Sequence, residues 1–100
     1  MAILDVTEYA SLSLDAQGRQ VLVGKEPSRV NQQVAIGGGS TQSSAFSDTT
    51  RFVRLHADAA CRIAIGQNPT ASGASMRMGA NQTEYLGVNP GDKIAAITTT

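Results

Sequence analysis

Apolar and polar residues alternate one by one along most of this chain, and that period of two constrains its fold more than any other feature. Successive side chains of an extended strand point to opposite faces, so strict alternation builds one dry face and one wet face. From Leu4 the even positions read Leu4, Val6, Glu8, Ala10, Leu12 and Leu14, with Glu8 alone breaking the apolar face. The odd positions include Asp5, Thr7, Ser11, Ser13 and Asp15. The segment reads as one long strand, or as two strands kinked near Glu8. Val30, Val34 and Ile36 share a second apolar face around Gln32, opposite Asn31, Gln33 and Ala35. Val53, Leu55 and Ala57 alternate against Phe52, Arg54 and His56. After Asp58-Ala59-Ala60, the residues Cys61, Ile63 and Ile65 alternate against Arg62 and Ala64, and the two runs together read as a hairpin.

Turn chemistry punctuates these runs. Asp15-Ala16-Gln17-Gly18 and Asn89-Pro90-Gly91-Asp92 are turn signals, because Gly takes positive φ at no steric cost and Pro presets φ for the turn. Segment 37–47 begins with three glycines followed by Ser, Thr and Gln, and reads as a flexible surface loop. Further short strands fall at Val21-Leu22-Val23, Met76-Arg77-Met78, Glu84 to Val88 and Lys93 to Ile97. No segment carries a capped 3.6-residue stripe. The expectation is an all-β chain folded as a single domain over 1–100: a small β-sandwich, jelly-roll-like, or a partly closed barrel. About seven to nine short antiparallel strands would build it. Val53, Leu55, Cys61, Ile63, Ile65, Leu86, Val88 and Ile94 are the expected core.

Composition narrows function. Eight basic and eight acidic residues cancel, and the basic ones are spread from Arg19 to Lys93. Phosphate neutralisation needs clustered cations, so nucleic acid is not an expected partner. No stretch reaches membrane-spanning length, and the first residues lack the pattern of a signal peptide, so the expectation is a soluble chain made in the cytoplasm. The lone Cys61 permits no internal disulfide and no multi-cysteine metal motif.

The search for catalytic chemistry yields no site. His56 is the sole histidine and shares a strand face with Arg54, without the convergent His, Cys or carboxylate groups that a metal requires. Cys61 alternates with Ile63 and Ile65 and reads as a buried apolar residue. A Cys61–His56 pair is disfavoured because the two belong to opposite alternation classes. The glycines at 37–39 lack the following Lys of a phosphate loop. Met76 and Met78 read as core residues, or as an adaptable binding edge. The expectation is therefore a chain with no catalytic residue, no metal and no cofactor.

Segments 48–66, 68–71, 76–78, 81–85 and 88–95 share a cadence. It runs Thr50-Arg51-Phe52-Val53-Arg54, then Ala64-Ile65-Gly66, Asn68-Pro69-Thr70 and Asn89-Pro90-Gly91-Asp92. In this the chain resembles small virion-associated β-sandwich proteins of tailed bacteriophages over roughly residues 35–97. The resemblance carries strand-and-turn motifs and no catalytic residue. It implies a structural protein of the virion, synthesised in the host cytoplasm and present in many copies. A capsid decoration or cement protein is the first reading, and a minor tail or fibre-associated module the second. The implied partners are copies of itself and phage capsid or tail proteins. Segment 1–14 is then either an extended arm reaching a neighbour or an ordinary first strand. In the arm reading Leu4, Val6, Tyr9 and Leu12 are the candidate assembly contacts. A carbohydrate- or ligand-binding sandwich stands as a further alternative, for which Tyr9, Tyr85 and Phe46 are the available aromatics.

Overall fold

The computed structural model describes residues 2–14, 16–24, 28 and 30–99, with side chains omitted at 12–14 and 20–24. The described residues form an all-β fold without helix. The strands are β1 (Ile3–Tyr9), β2 (Leu12–Leu14), β3 (Gln20–Gly24), β4 (Val30–Ala35), β5 (Thr41–Gln42), β6 (Phe52–Ala57), β7 (Cys61–Gly66), β8 (Met76–Met78), β9 (Thr83–Gly87) and β10 (Lys93–Thr98).

Eight of them make two antiparallel sheets of four. Sheet 1 runs β4-β1-β6-β9 and sheet 2 runs β5-β10-β7-β8, while among the described residues β2 and β3 pair with each other and with no other strand. The chain changes sheet from β4 to β5, β5 to β6, β6 to β7, β8 to β9 and β9 to β10, a jelly-roll-like way to build a sandwich. The sheets do not close into a barrel, so the sandwich alternative is the one realised.

The core lies between the sheets. Leu4, Val6, Val53, Leu55 and Ala57 of sheet 1 face Cys61, Ile63, Met78, Ile94 and Ala96 of sheet 2, and all are buried. Ile65, Leu86 and Val88 complete this core from its margin as half-buried residues. Burying a Leu, Ile or Val side chain contributes about 1.5–3 kcal/mol each, so these two inner faces dominate the stability of the fold.

The expected hairpin of Phe52–Ala57 with Cys61–Gly66 does not form. β6 pairs with β1 and β9, and β7 pairs with β10 and β8. Residues 58–60 instead carry the chain from one sheet to the other. Each strand buries its apolar face against the other across the core, and alternation is the same whether two strands are neighbours or opposed. Asp58 anchors this crossing: its Oδ1 accepts the Ile3 amide at 2.7 Å, and its own N–H donates to the Ile3 carbonyl at 3.2 Å.

Segment 37–47, read as a flexible surface loop, contains a short strand. Thr41 and Gln42 pair with Ala96 and Ala95 as an edge strand. The attachment continues as Ser43 N–H donates to Ile94 O at 2.7 Å and Phe46 N–H to Asp92 O at 2.8 Å. Phe46 is buried. The turn at Asn89-Pro90-Gly91-Asp92 forms as read: Asp92 N–H donates to Asn89 O at 3.2 Å and Gly91 has φ +83°, so Pro90 and Gly91 occupy the middle of a type II turn.

Segment 1–14 divides. Ile3–Tyr9 is a central strand of sheet 1, held by β4 on one side and β6 on the other. The chain then bends at Ala10 and Ser11, and β2 pairs with β3, Leu12 opposite Gly24 and Leu14 opposite Gln20. Gly18, at φ +81°, lies in the bend between them. The molecule measures 45 × 25 × 22 Å. Strands of six or seven residues span only about 20–23 Å of that length.

Candidate functional site

The outward side chains of sheet 1 follow from the register. Asp5 lies opposite Gln33 on one side and His56 on the other, and His56 lies opposite Thr83. Thr7 lies likewise between Asn31 and Arg54, and Arg54 is opposite Tyr85. Two parallel rows result, Gln33-Asp5-His56-Thr83 and Asn31-Thr7-Arg54-Tyr85. Gln33 Nε2 donates to Asp5 Oδ1 at 3.3 Å, and His56 Nδ1 shares a hydrogen bond with Thr83 Oγ1 at 3.0 Å. An open groove of about 630 Å³ runs over this face, lined by Asp5, Thr7, Asn31, Gln33, Arg54 and His56 among others. Amides, a carboxylate, a guanidinium and an imidazole together offer both donors and acceptors. Such a face can hold a polar ligand by hydrogen bonds.

Sheet 2 is built differently. Gln42, Ala95 and Ala64 align across it on the side away from the core. Ala95 is nevertheless 0% exposed, and loop 67–75 is fastened to the neighbouring strand. Gln42 Nε2 donates to Asn68 Oδ1 at 2.9 Å and Pro69 O at 2.8 Å, and Ala71 N–H donates to Ser40 Oγ at 2.9 Å. Pro69 and Ala71 of that loop are buried. Small side chains on the strands let the loop approach closely. Beside it, Arg62 and Arg77 sit directly opposite each other at a second groove of about 480 Å³, and Arg62 Nη1 donates to Ser75 O at 2.9 Å.

Glu8 explains the break in the first apolar face. It points inward and is 0% exposed. Its Oε2 accepts from Gln32 Nε2 at 2.7 Å, and its Oε1 accepts from Thr50 Oγ1 at 2.7 Å and from the Ser47 amide at 2.9 Å. Gln32 Oε1 in turn accepts the Ser44 amide at 2.9 Å. A carboxylate removed from water is costly unless hydrogen-bonded, and three donors meet this one. The network fastens crossover 43–50, which passes from sheet 2 to sheet 1, onto β1. The role of Glu8 is not apparent from spacing, since its partners lie 24 to 42 positions away.

The candidate assembly contacts fall as follows. Leu4 and Val6 are buried in the chain's own core, and Tyr9 is buried with its ring stacked on Phe52 at 5.2 Å between centroids. These three side chains are occupied within the domain and present no face to a neighbour. The side chain of Leu12 lies outside the described residues; its backbone belongs to the hairpin arm. Of the aromatics available to a ligand, Tyr9 and Phe46 are buried, which leaves half-buried Tyr85 on the outer face of sheet 1.

His56 and Cys61 are not brought together. His56 is on the outer face of sheet 1, while Cys61 is in the core on sheet 2. Burial, and secondarily the negative charge of Asp58, push the Cys61 thiol above its ordinary value of 9.0, which keeps it protonated and unreactive. Met78 is buried, whereas Met76 on the edge strand β8 is 52% exposed, so the two methionines divide between the core and edge readings. Among the described residues no three His, Cys, Asp or Glu side chains converge as a metal site would require.

The chain matches no family model, no curated protein and no solved structure.

Proposed function

We propose that this chain is a non-enzymatic structural subunit that acts through contacts with other protein chains, and that its place is the virion of a tailed phage, as a capsid decoration or cement protein. The observation that carries the contact reading is the β2–β3 hairpin. Among the described residues its strands pair with no strand of either sheet, and it follows β1 directly after the bend at Ala10 and Ser11. An arm of this kind suits a neighbour's surface or sheet edge, where main-chain hydrogen bonds supply affinity. The virion assignment rests on the strand-and-turn cadence of residues 35–97.

Two experiments test this reading together. Mass spectrometry of purified particles should find the chain at a fixed copy number. A variant with 12–24 replaced by the two-residue turn Asn-Gly should fold, with far-UV circular dichroism that stays β-type, and be lost from particles. Incorporation of the truncated chain at wild-type occupancy, or absence of the full chain from particles, overturns the proposal.

The polar groove on sheet 1 favours a second reading, a ligand-binding sandwich for neutral oligosaccharides. Asn31, Gln33, Asp5 and Arg54 would bond hydroxyl groups beside the ring of Tyr85. Calorimetric titration with an oligosaccharide panel, repeated on Arg54→Ala, decides it. Binding that the substitution abolishes supports the reading, and heats indistinguishable from dilution across the panel reject it.

A further inference from the structure

The four edges of the sandwich are not equally protected. An edge strand exposes a row of unpaired N–H and C=O groups, and proteins blunt such edges with charge, shortness or a covering segment. Edge β8 is three residues long and carries Arg77, and edge β9 carries Glu84. Edge β5 is two residues long and is fastened to loop 67–75 through Gln42. Edge β4, Val30–Ala35, has six residues without charge, Pro or Gly.

The direction of its free groups is determined. Ile36 N–H donates to Ala2 O at 3.0 Å, which makes Ile36 and Ala2 a hydrogen-bonded pair in the β1–β4 register. Such pairs alternate along an antiparallel ladder, so Val34, Gln32 and Val30 also turn their main-chain groups to β1. The other side of β1 agrees: Asp58 N–H donates to Ile3 O, which places the bonds to β6 on the odd residues of β1. Asn31, Gln33 and Ala35 therefore aim their N–H and C=O groups outward. All three are exposed, and among the described residues no strand other than β1 pairs with β4.

We propose that this edge pairs antiparallel, about a twofold axis, with β4 of a second copy of the chain. The proposal rests on the contact reading above and supplies its partner. Two conditions restrict the register. Outward-pointing residues must meet outward-pointing residues, and inner faces must meet inner faces. A register with Gln32 opposite the partner's Gln32 satisfies both. Asn31 then exchanges hydrogen bonds with Gln33 of the second copy, and their amide side chains lie side by side on the polar face. Val30, 36% exposed and on the inner side of the strand, lies against Val34 of the second copy. Sheet 1 becomes a continuous eight-stranded sheet, and the polar grooves of the two copies join across the axis. A seam of two such strands buries less than the about 800 Å² per partner of standard interfaces, so the association is concentration-dependent and strengthened by repetition in an array.

The test uses the full chain. Sedimentation equilibrium over a wide concentration range should show a monomer–dimer equilibrium. Amide hydrogen exchange by NMR should show the N–H groups of Asn31 and Gln33 gaining protection as concentration rises. Gln33→Pro removes an outward donor without touching the β1 ladder and should leave a folded monomer. Gln33→Lys, which places a charge on the edge, is the second variant if the first does not fold. A monomer at every concentration, a dimer in which these amides stay unprotected, or a folded edge variant that still dimerises overturns the inference. Failure here leaves the virion reading intact if the chain is found in particles. A dimer absent from particles has the opposite meaning.

Discussion

The two sheets share a core but treat their outer faces in opposite ways. Sheet 1 presents Asp5, Thr7, Arg54, His56 and Tyr85 outward, with an open groove above them. Sheet 2 presents Ala64, half-buried, and Ala95, fully buried, and fastens loop 67–75 to Gln42 in the same row. Both patterns alternate with period two, yet the first leaves a wet face across its central strands, whereas the second keeps its groove to one side, at Arg62 and Arg77. A small residue on an outward position thus has a different meaning from a polar one: it makes room for the chain's own loop. What is left open on sheet 1, face and edge alike, is where a partner or ligand has access.

The largest effect should come from Val6→Asp. Val6 is fully buried on a strand paired on both sides, so an unpaired carboxylate there should cost more than about 4–5 kcal/mol. Loss of the β-type circular dichroism signal is the expected result. Next, the inner faces of the two sheets should be equivalent: Leu55→Ala and Ile63→Ala should each cost about 2–5 kcal/mol in chemical denaturation. A cost under about 0.5 kcal/mol for either would remove that residue from the core.

The outer faces should then diverge. Ala95→Leu forces a larger side chain into a fully buried position on the outer side of sheet 2 and should cost about 1–3 kcal/mol. Thr7→Leu, on the uncovered face of sheet 1, should stay within about 0.5 kcal/mol of wild type. Equal costs would mean that the two outer faces are alike after all.

The smallest effect concerns pH. The buried Cys61 thiol ionises later in the folded than in the unfolded chain. Above the ordinary thiol value the unfolded state therefore binds fewer protons, and stability falls as pH rises. The contribution is complete below that value and disappears as pH climbs toward the raised folded value. Between about pH 8 and pH 10, melting temperature should decline more steeply for wild type than for Cys61→Ala, and parallel slopes would remove the effect.

Much of this molecule is legible in its residues. The period of two announces an all-β fold. It also places Val53, Leu55, Cys61, Ile63 and Ile94 on inward faces, where all five are buried. The Pro90-Gly91 turn is readable because backbone sterics act locally. Pairing is another matter. Alternation records which side of a strand is dry and carries no information on which strand lies beside it, so β6 and β7 look like hairpin partners while lying in different sheets. Glu8 reads as a flaw in an apolar face until Gln32, Ser47 and Thr50 arrive from distant parts of the chain to satisfy its carboxylate. Leu4 and Val6 have the character of contact residues, and only their position between two strands and against a second sheet makes them core, while Tyr9 is buried against Phe52. Local sequence determined strand character and turn geometry, because these depend on neighbouring residues. The tertiary structure decided pairing, polar satisfaction and the free edge, because these are properties of segments that meet only when the chain has folded.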